Sequence, residues 1–316
     1  PLQLAMFQTL FNVIGVLLFW PWQKQLERGL CRVLPDRAEP AVLITDAATG
    51  PRNLVEQREL PESHARYLND AALASVDTAS RAVVQELQHL GRLSLEVICH
   101  ALYQPVEQLI SREVDEARLN ARPDDSEGLD TEDLYRRHIK VVYSDLLGFM
   151  SRLDPTKDEG HQQFWMTCQM VALQLVDAVK DAKSLQKNLG RYLRDERSLA
   201  HEHYMELRRH LLWVLRQVRE VGSLEVPDDV WRSRLDWVDS EVAKFDAGFR
   251  NRIFSDVRKG LLNNLQASSL MHDLGYSVRI TQSFRNVLQL GLADGEELLR
   301  EVRRLGSDDD LPLIRV

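Results

Sequence analysis

Along most of this chain apolar residues return every third or fourth position, the period of an α-helix with one buried face. The longest series is Phe164, Cys168, Val171, Leu175, Ala178, Ala182, Leu185, Leu189 and Tyr192, whose alternating threes and fours predict the seam of an antiparallel bundle. Val76, Ala79, Val83, Leu87, Leu90 and Leu95 predict a helix between Ala65 and about Ala117, broken or kinked at Pro105, which has no amide hydrogen. Leu134, Val141, Val142, Leu146 and Phe149 predict another from Glu132 to Leu153. A second group follows Asp195: Leu207 to Val221, ended by Gly222 and Pro227; Trp231 to Ile253; and Leu261 to Leu292. Three helices followed by three suggest a duplication. Sustained period-two alternation is missing, so no sheet is expected.

The opening stretch has a different pattern. Between Leu4 and Trp22 there is no Lys, Arg, Asp or Glu, and about nineteen residues as a helix measure roughly 28 Å, close to a bilayer's hydrocarbon thickness. Nothing basic precedes the run and no small-residue cleavage site follows it, so a secretory signal is disfavoured. Trp20 and Trp22 stand where an aromatic belt would sit, and Lys24, Arg28, Arg32 and Arg37 follow, which places the downstream chain in the cytoplasm. A buried helix of a soluble bundle and a segment lying along the membrane surface are the alternatives. Gln8, Asn12 and Gly15 share one helical stripe, and amides in hydrocarbon need partners, so they predict packing on neighbouring membrane helices. With Pro1 rather than Met at the start, the chain is expected to be a piece of a larger membrane protein.

The expected fold class is therefore all-α: one N-terminal transmembrane helix followed by two antiparallel three-helix bundles. The expected divisions are residues 1–23 (membrane helix), 24–62 (interfacial helix and linker), 63–195 (first bundle), 196–305 (second bundle) and 306–316 (acidic tail). Leu26, Leu30, Val33 and Leu34 interleaved with charge give the interfacial helix; Pro35, Pro40, Pro51 and Pro61 with Gly50 give the linker.

Composition narrows the partners. A formal net charge of −8 argues against nucleic acid, because phosphate backbones need a basic footprint. Cys31, Cys99 and Cys168 are odd in number and lack CxxC spacing, which fits free thiols in a reducing compartment. His201 and His203 in "HEH" point about 200° apart on a helix, unlike the i, i+4 pair of a zinc protease, and read as surface imidazoles. Ser268 and Ser269 lack a hydrolase elbow, no Gly-rich loop cradles phosphate, and Arg208–Arg209 and Arg303–Arg304 read as solubilising pairs. No enzyme is expected.

Several blocks resemble a known family. "FQTLFNVIG" with its "FWPW" exit is similar to the final membrane helix of bacterial sodium-dependent phosphate cotransporters. "ARYLNDAALASVDTASRAVVQELQHLG", "VDAVKDAKSLQKNLGRYL" and "SSLMHDLGYSVRITQSF" resemble, in order, the first helix, the third helix and the last helix of the PhoU-like domain fused to such carriers. The resemblance implies a regulatory helical domain beneath a bacterial inner (plasma) membrane, in a protein that is multi-pass when intact. It implies that sodium and phosphate are handled by a transporter domain absent from these residues. The implied partners are the lipid bilayer, that upstream transporter domain, a homodimer mate and a regulatory protein; a membrane-anchored scaffold docking on another transporter or sensor kinase is the alternative. The family's divalent metal ion would be held by paired acidic residues, but matching "QKNL" places those positions on Val179 and Lys183, which cannot ligate it. Asp177 and Asp181 form an Asp-x-x-x-Asp pair two residues earlier, and Asp273 matches an acidic position of the last helix, beside His272 where an amide is usual; these three aspartates are the candidate ligands.

Overall fold

The computed structural model describes residues 62–123, 130–153, 159–291, 297–304 and 312–314. The chain divides into two units, Pro1–Gln57 and Arg58–Val316, and every described residue belongs to the second. The expected membrane helix with Gln8, Asn12 and Gly15, the interfacial helix, and Cys31 lie outside the described residues. Among the described residues no helix is long and apolar enough to cross a membrane.

The described part is all-helical, with no strand among its residues. Its elements are α1 (Val76–Ala101), α2 (Glu107–Ile110), α3 (Glu116–Asn120), α4 (Thr131–Leu134), α5 (Lys140–Met150), α6 (Glu159–Arg194), α7 (His201–Ser223), α8 (Asp228–Arg258), α9 (Asn264–Leu290) and α10 (Glu297–Val302). A π-helical turn, Tyr135–Ile139, joins α4 to α5.

Local chemistry sets the boundaries. The helix expected from Ala65 begins only at Val76, because Asn69 caps a 3-10 turn (Asp70–Ala74) and Ser75 caps α1 through the Thr78 amide. Residues 63–67 instead run as an irregular strap, pinned where Ala65 N–H donates to Asp145 on α5 (3.1 Å) and Ser63 Oγ meets His138 Nδ1 (2.8 Å). At its other end α1 stops ahead of Pro105, with Tyr103 in the left-handed region at φ 55°. The α8–α9 turn uses Gly260 at φ 72°, a conformation open to glycine at little cost, and Asn263 with Gln266 forms a capping box on α9. Trp231 donates its indole N–H to the Val221 carbonyl (2.9 Å), which fixes the α7–α8 corner.

The buried side chains form one continuous apolar cluster that draws on every long helix. The most extensive helix pair is α6 with α9, followed by α1 with α6; α7 and α8 cover α9, and α10 returns to α1. From Ala79 to Ala101, α1 is covered on nearly all sides, including its polar Glu86, His89, Arg92 and Glu96. The segment broken by Pro105 lies against α7, whose arginines collect its carbonyls: Arg208 binds Leu119 and Ala121, Arg216 binds Gln108 and Arg112, and Arg219 binds Leu109.

Candidate functional site

His203 and Tyr204 are neighbours on the first turn of α7, about 100° apart around the helix, and each meets a different polar group. His203 Nε2 lies 3.1 Å from Asp256 Oδ2 at the end of α8, with its ring edge-on to Phe249. Tyr204 donates its hydroxyl to Asp273 Oδ2 on α9 at 2.6 Å, and its ring stacks on Tyr192.

Around His203 opens a cleft of about 510 Å³ between α7 and the α8–α9 turn. Its polar lining is organised as pairs: His203 with Asp256, Arg252 with Glu206, and Arg209 with the Asn120 amide oxygen. Glu202 adds a further carboxylate, and Leu199 and Leu261 leave large apolar surfaces at the cleft, 58% and 46% exposed. Three carboxylates, two guanidinium groups and an imidazole suit a ligand or partner that carries both charges, exchanging its ion pairs for those already made. The reading of "HEH" as two surface imidazoles is corrected here. His203 is buried in the α7–α8 contact because position 203 falls on the packed face of α7, while His201 turns back to the Tyr192 carbonyl at 3.0 Å.

Behind the cleft, the Asp273 carboxylate is fully buried where α6, α7 and α9 meet. Burial pushes its carboxyl above the ordinary range, opposed by the Tyr204 hydroxyl and by the Asn188 amide at 3.4 Å. Burial and the neighbouring Asp273 charge likewise push the Tyr204 phenol up. This is a locking network: each polar group finds its partner on another helix.

The other expected ligands lie apart from it. Asp177 pairs with Lys180 one turn away at 3.3 Å, and Asp181 takes a two-pronged bond from Arg279 on α9 at 2.8 and 2.9 Å. Asp177, Asp181 and Asp273 are therefore each engaged by a different partner. Among the described residues no group of three or more His, Cys, Asp or Glu is arranged to hold a metal ion. Val179 is buried in the core and Lys183 pairs with Glu132 at 2.7 Å.

The two arginine pairs split by depth. Arg208 is fully buried and burial holds its guanidinium down to about 10, whereas its neighbour Arg209 is exposed. Arg303 packs over Trp231 and donates to the Gly291 carbonyl, while Arg304 reaches Glu225. The sequence reading missed Asp256, Arg252 and Glu206, which are ordinary surface-type charges until the α8–α9 turn brings them to α7. Tyr204 had a signal, a hydroxyl amid apolar positions. Cys99 and Cys168 are both buried in the core. Comparison with protein-family models, curated proteins and solved structures finds no match for this chain.

Proposed function

We propose that residues 63–305 are a PhoU-like regulatory module of a sodium/phosphate cotransporter-like membrane protein, acting by contact rather than by catalysis. In this reading α1, α4–α5 and α6 make one antiparallel three-helix bundle and α7, α8 and α9 the other. Sodium and phosphate are bound by the transporter domain, and the module lies on the cytoplasmic side of a bacterial plasma membrane.

The observation that carries the reading is where the family-like blocks fall. The first ends on α1, residues 176–193 lie on α6, and residues 268–284 lie on α9. These are the helices with the two most extensive packing contacts, α6 with α9 and α6 with α1. The family-like blocks thus coincide with the centre of the helical assembly, where sequence constraint from packing is strongest.

The cleft at His203 is the surface through which such a module would take its signal, since its ion pairs can be exchanged for those of a charged partner. His203→Ala and Arg252→Ala in the intact protein test this by phosphate uptake under scarce and abundant phosphate. The expected result is a reduced difference between the two conditions with maximal uptake retained. An undiminished difference in both variants contradicts the role given to the cleft.

A further inference from the structure

Two carboxylates of α1 sit inside its cover and are used in the same way. Glu86 Oε2 accepts the successive amides of Arg66 (2.8 Å) and Tyr67 (2.9 Å), while its Oε1 meets His89 at 2.7 Å. Glu96 accepts the successive amides of Leu313 (2.8 Å) and Ile314 (3.0 Å), one on each oxygen. Both glutamates are 0% exposed, and Ile314 is itself buried in the core cluster.

The difference between them is what else the carboxylate holds. Glu86 keeps His89 whatever the strap does, whereas Glu96 commits both oxygens to residues 313 and 314. We propose that Glu96 marks a peptide-recognition site on α1, selective for two successive amide N–H groups followed by a branched aliphatic side chain, with the chain's own Leu313–Ile314 as an exchangeable occupant. This inference is independent of the phosphate-transport reading.

The balance of forces favours exchange. Two charge-assisted hydrogen bonds and one buried isoleucine are set against the ordering of a short irregular segment, contributions of similar size. A released segment stays close, because α10 remains packed on α1 and Gln88 Nε2 holds the Glu301 carbonyl at 2.5 Å. An emptied site is poorly tolerated: burial and the charge of Glu107 push the Glu96 carboxyl up, and the two amides are what pull it down. The vacated carboxylate has to take up a proton, meet water or accept another pair of amides.

A fluorescent peptide with the sequence of residues 307–316 tests this by anisotropy, with helix content followed by circular dichroism. The chain lacking residues 312–316 should bind it saturably. The full chain, whose site is filled, and the shortened chain carrying Glu96→Gln should each bind about tenfold or more weakly. A shortened chain that stays helical yet fails to bind, or binds equally well with Glu96→Gln, overturns the proposal. In the full chain, the Leu313 and Ile314 amides should exchange with deuterium about tenfold or more faster than those of Leu87 and Leu90. Equal protection overturns the proposal whether or not the shortened chain folds, because the segment would then leave only on global unfolding.

Discussion

Gly222 and Gly148 both lie within helices but under opposite constraints. A Cβ at Gly222 would overlap the Arg303 carbonyl oxygen, a backbone atom that cannot swing aside, whereas a Cβ at Gly148 meets nothing within 4 Å. Gly222→Ala should lower the unfolding free energy by about 1–3 kcal/mol through overpacking, and Gly148→Ala should raise it by up to about 1 kcal/mol through helix propensity; urea titration reads both. His210 gives a pH signature. Its ring stacks on Phe245 at 3.6 Å, and burial holds the imidazole down to about 4, against an ordinary 6.5. Between those values the unfolded chain binds a proton that the folded chain refuses, so stability falls as pH drops through that window and is unaffected above it. Half-buried His100 and buried His138 act in the same direction, and Glu96 and Asp273, with raised carboxyls, act in the other. Comparison with His210→Phe isolates the histidine: the parent should lose up to about 1.4 kcal/mol per pH unit more than the variant between pH 6.5 and 4. Parallel stability profiles would contradict the assignment. The buried hydroxyl–carboxylate contact is tested by a double-mutant cycle of Tyr204→Phe and Asp273→Asn, for which a coupling of about 1–3 kcal/mol is expected and additivity is the contrary result.

At the scale of elements, the arginine row of α7 explains how an irregular stretch stays folded. Arg208, Arg216 and Arg219 donate to carbonyls between Gln108 and Ala121, so the backbone freed by Pro105 still finds partners. Arg208→Ala should make residues 111–122 the earliest cut by trypsin and chymotrypsin while α6 and α9 stay protected; an unaltered digestion order would contradict the stapling role. These elements also show what the sequence made legible. Periodicity located α6, α7, α8 and α9 to within a few residues, because each has a single wide apolar face whose period survives in the residue order. The start of α1 was misplaced by eleven residues, Ala65 against Val76, since capping by Asn69 and Ser75 outweighed the apolar pattern. Asp273 was singled out, but its partners Tyr204 and Asn188 come from other helices, and no local pattern encodes such a meeting. Glu86 and Glu96 were passed over because they stand among Arg81, Gln85, Gln88, His89 and Arg92, a mixture that reads as an ordinary polar helix face until the strap and residues 313–314 cover it.

Among the described helices, α6 is the shared neighbour of α1 and α9, packing on both. The buried Asp273 carboxylate of α9 meets Tyr204 of α7 and Asn188 near the end of α6, which opposes sliding of these three helices. Such an assembly suits a device that reports a contact at one face as a shift at another, which is what regulation of a carrier requires. The direct test is phosphate uptake by the intact protein with and without residues 63–316, measured across a range of phosphate supply. Uptake should persist after the deletion but cease to depend on supply. Uptake that keeps the same rate and the same dependence without these residues would contradict it.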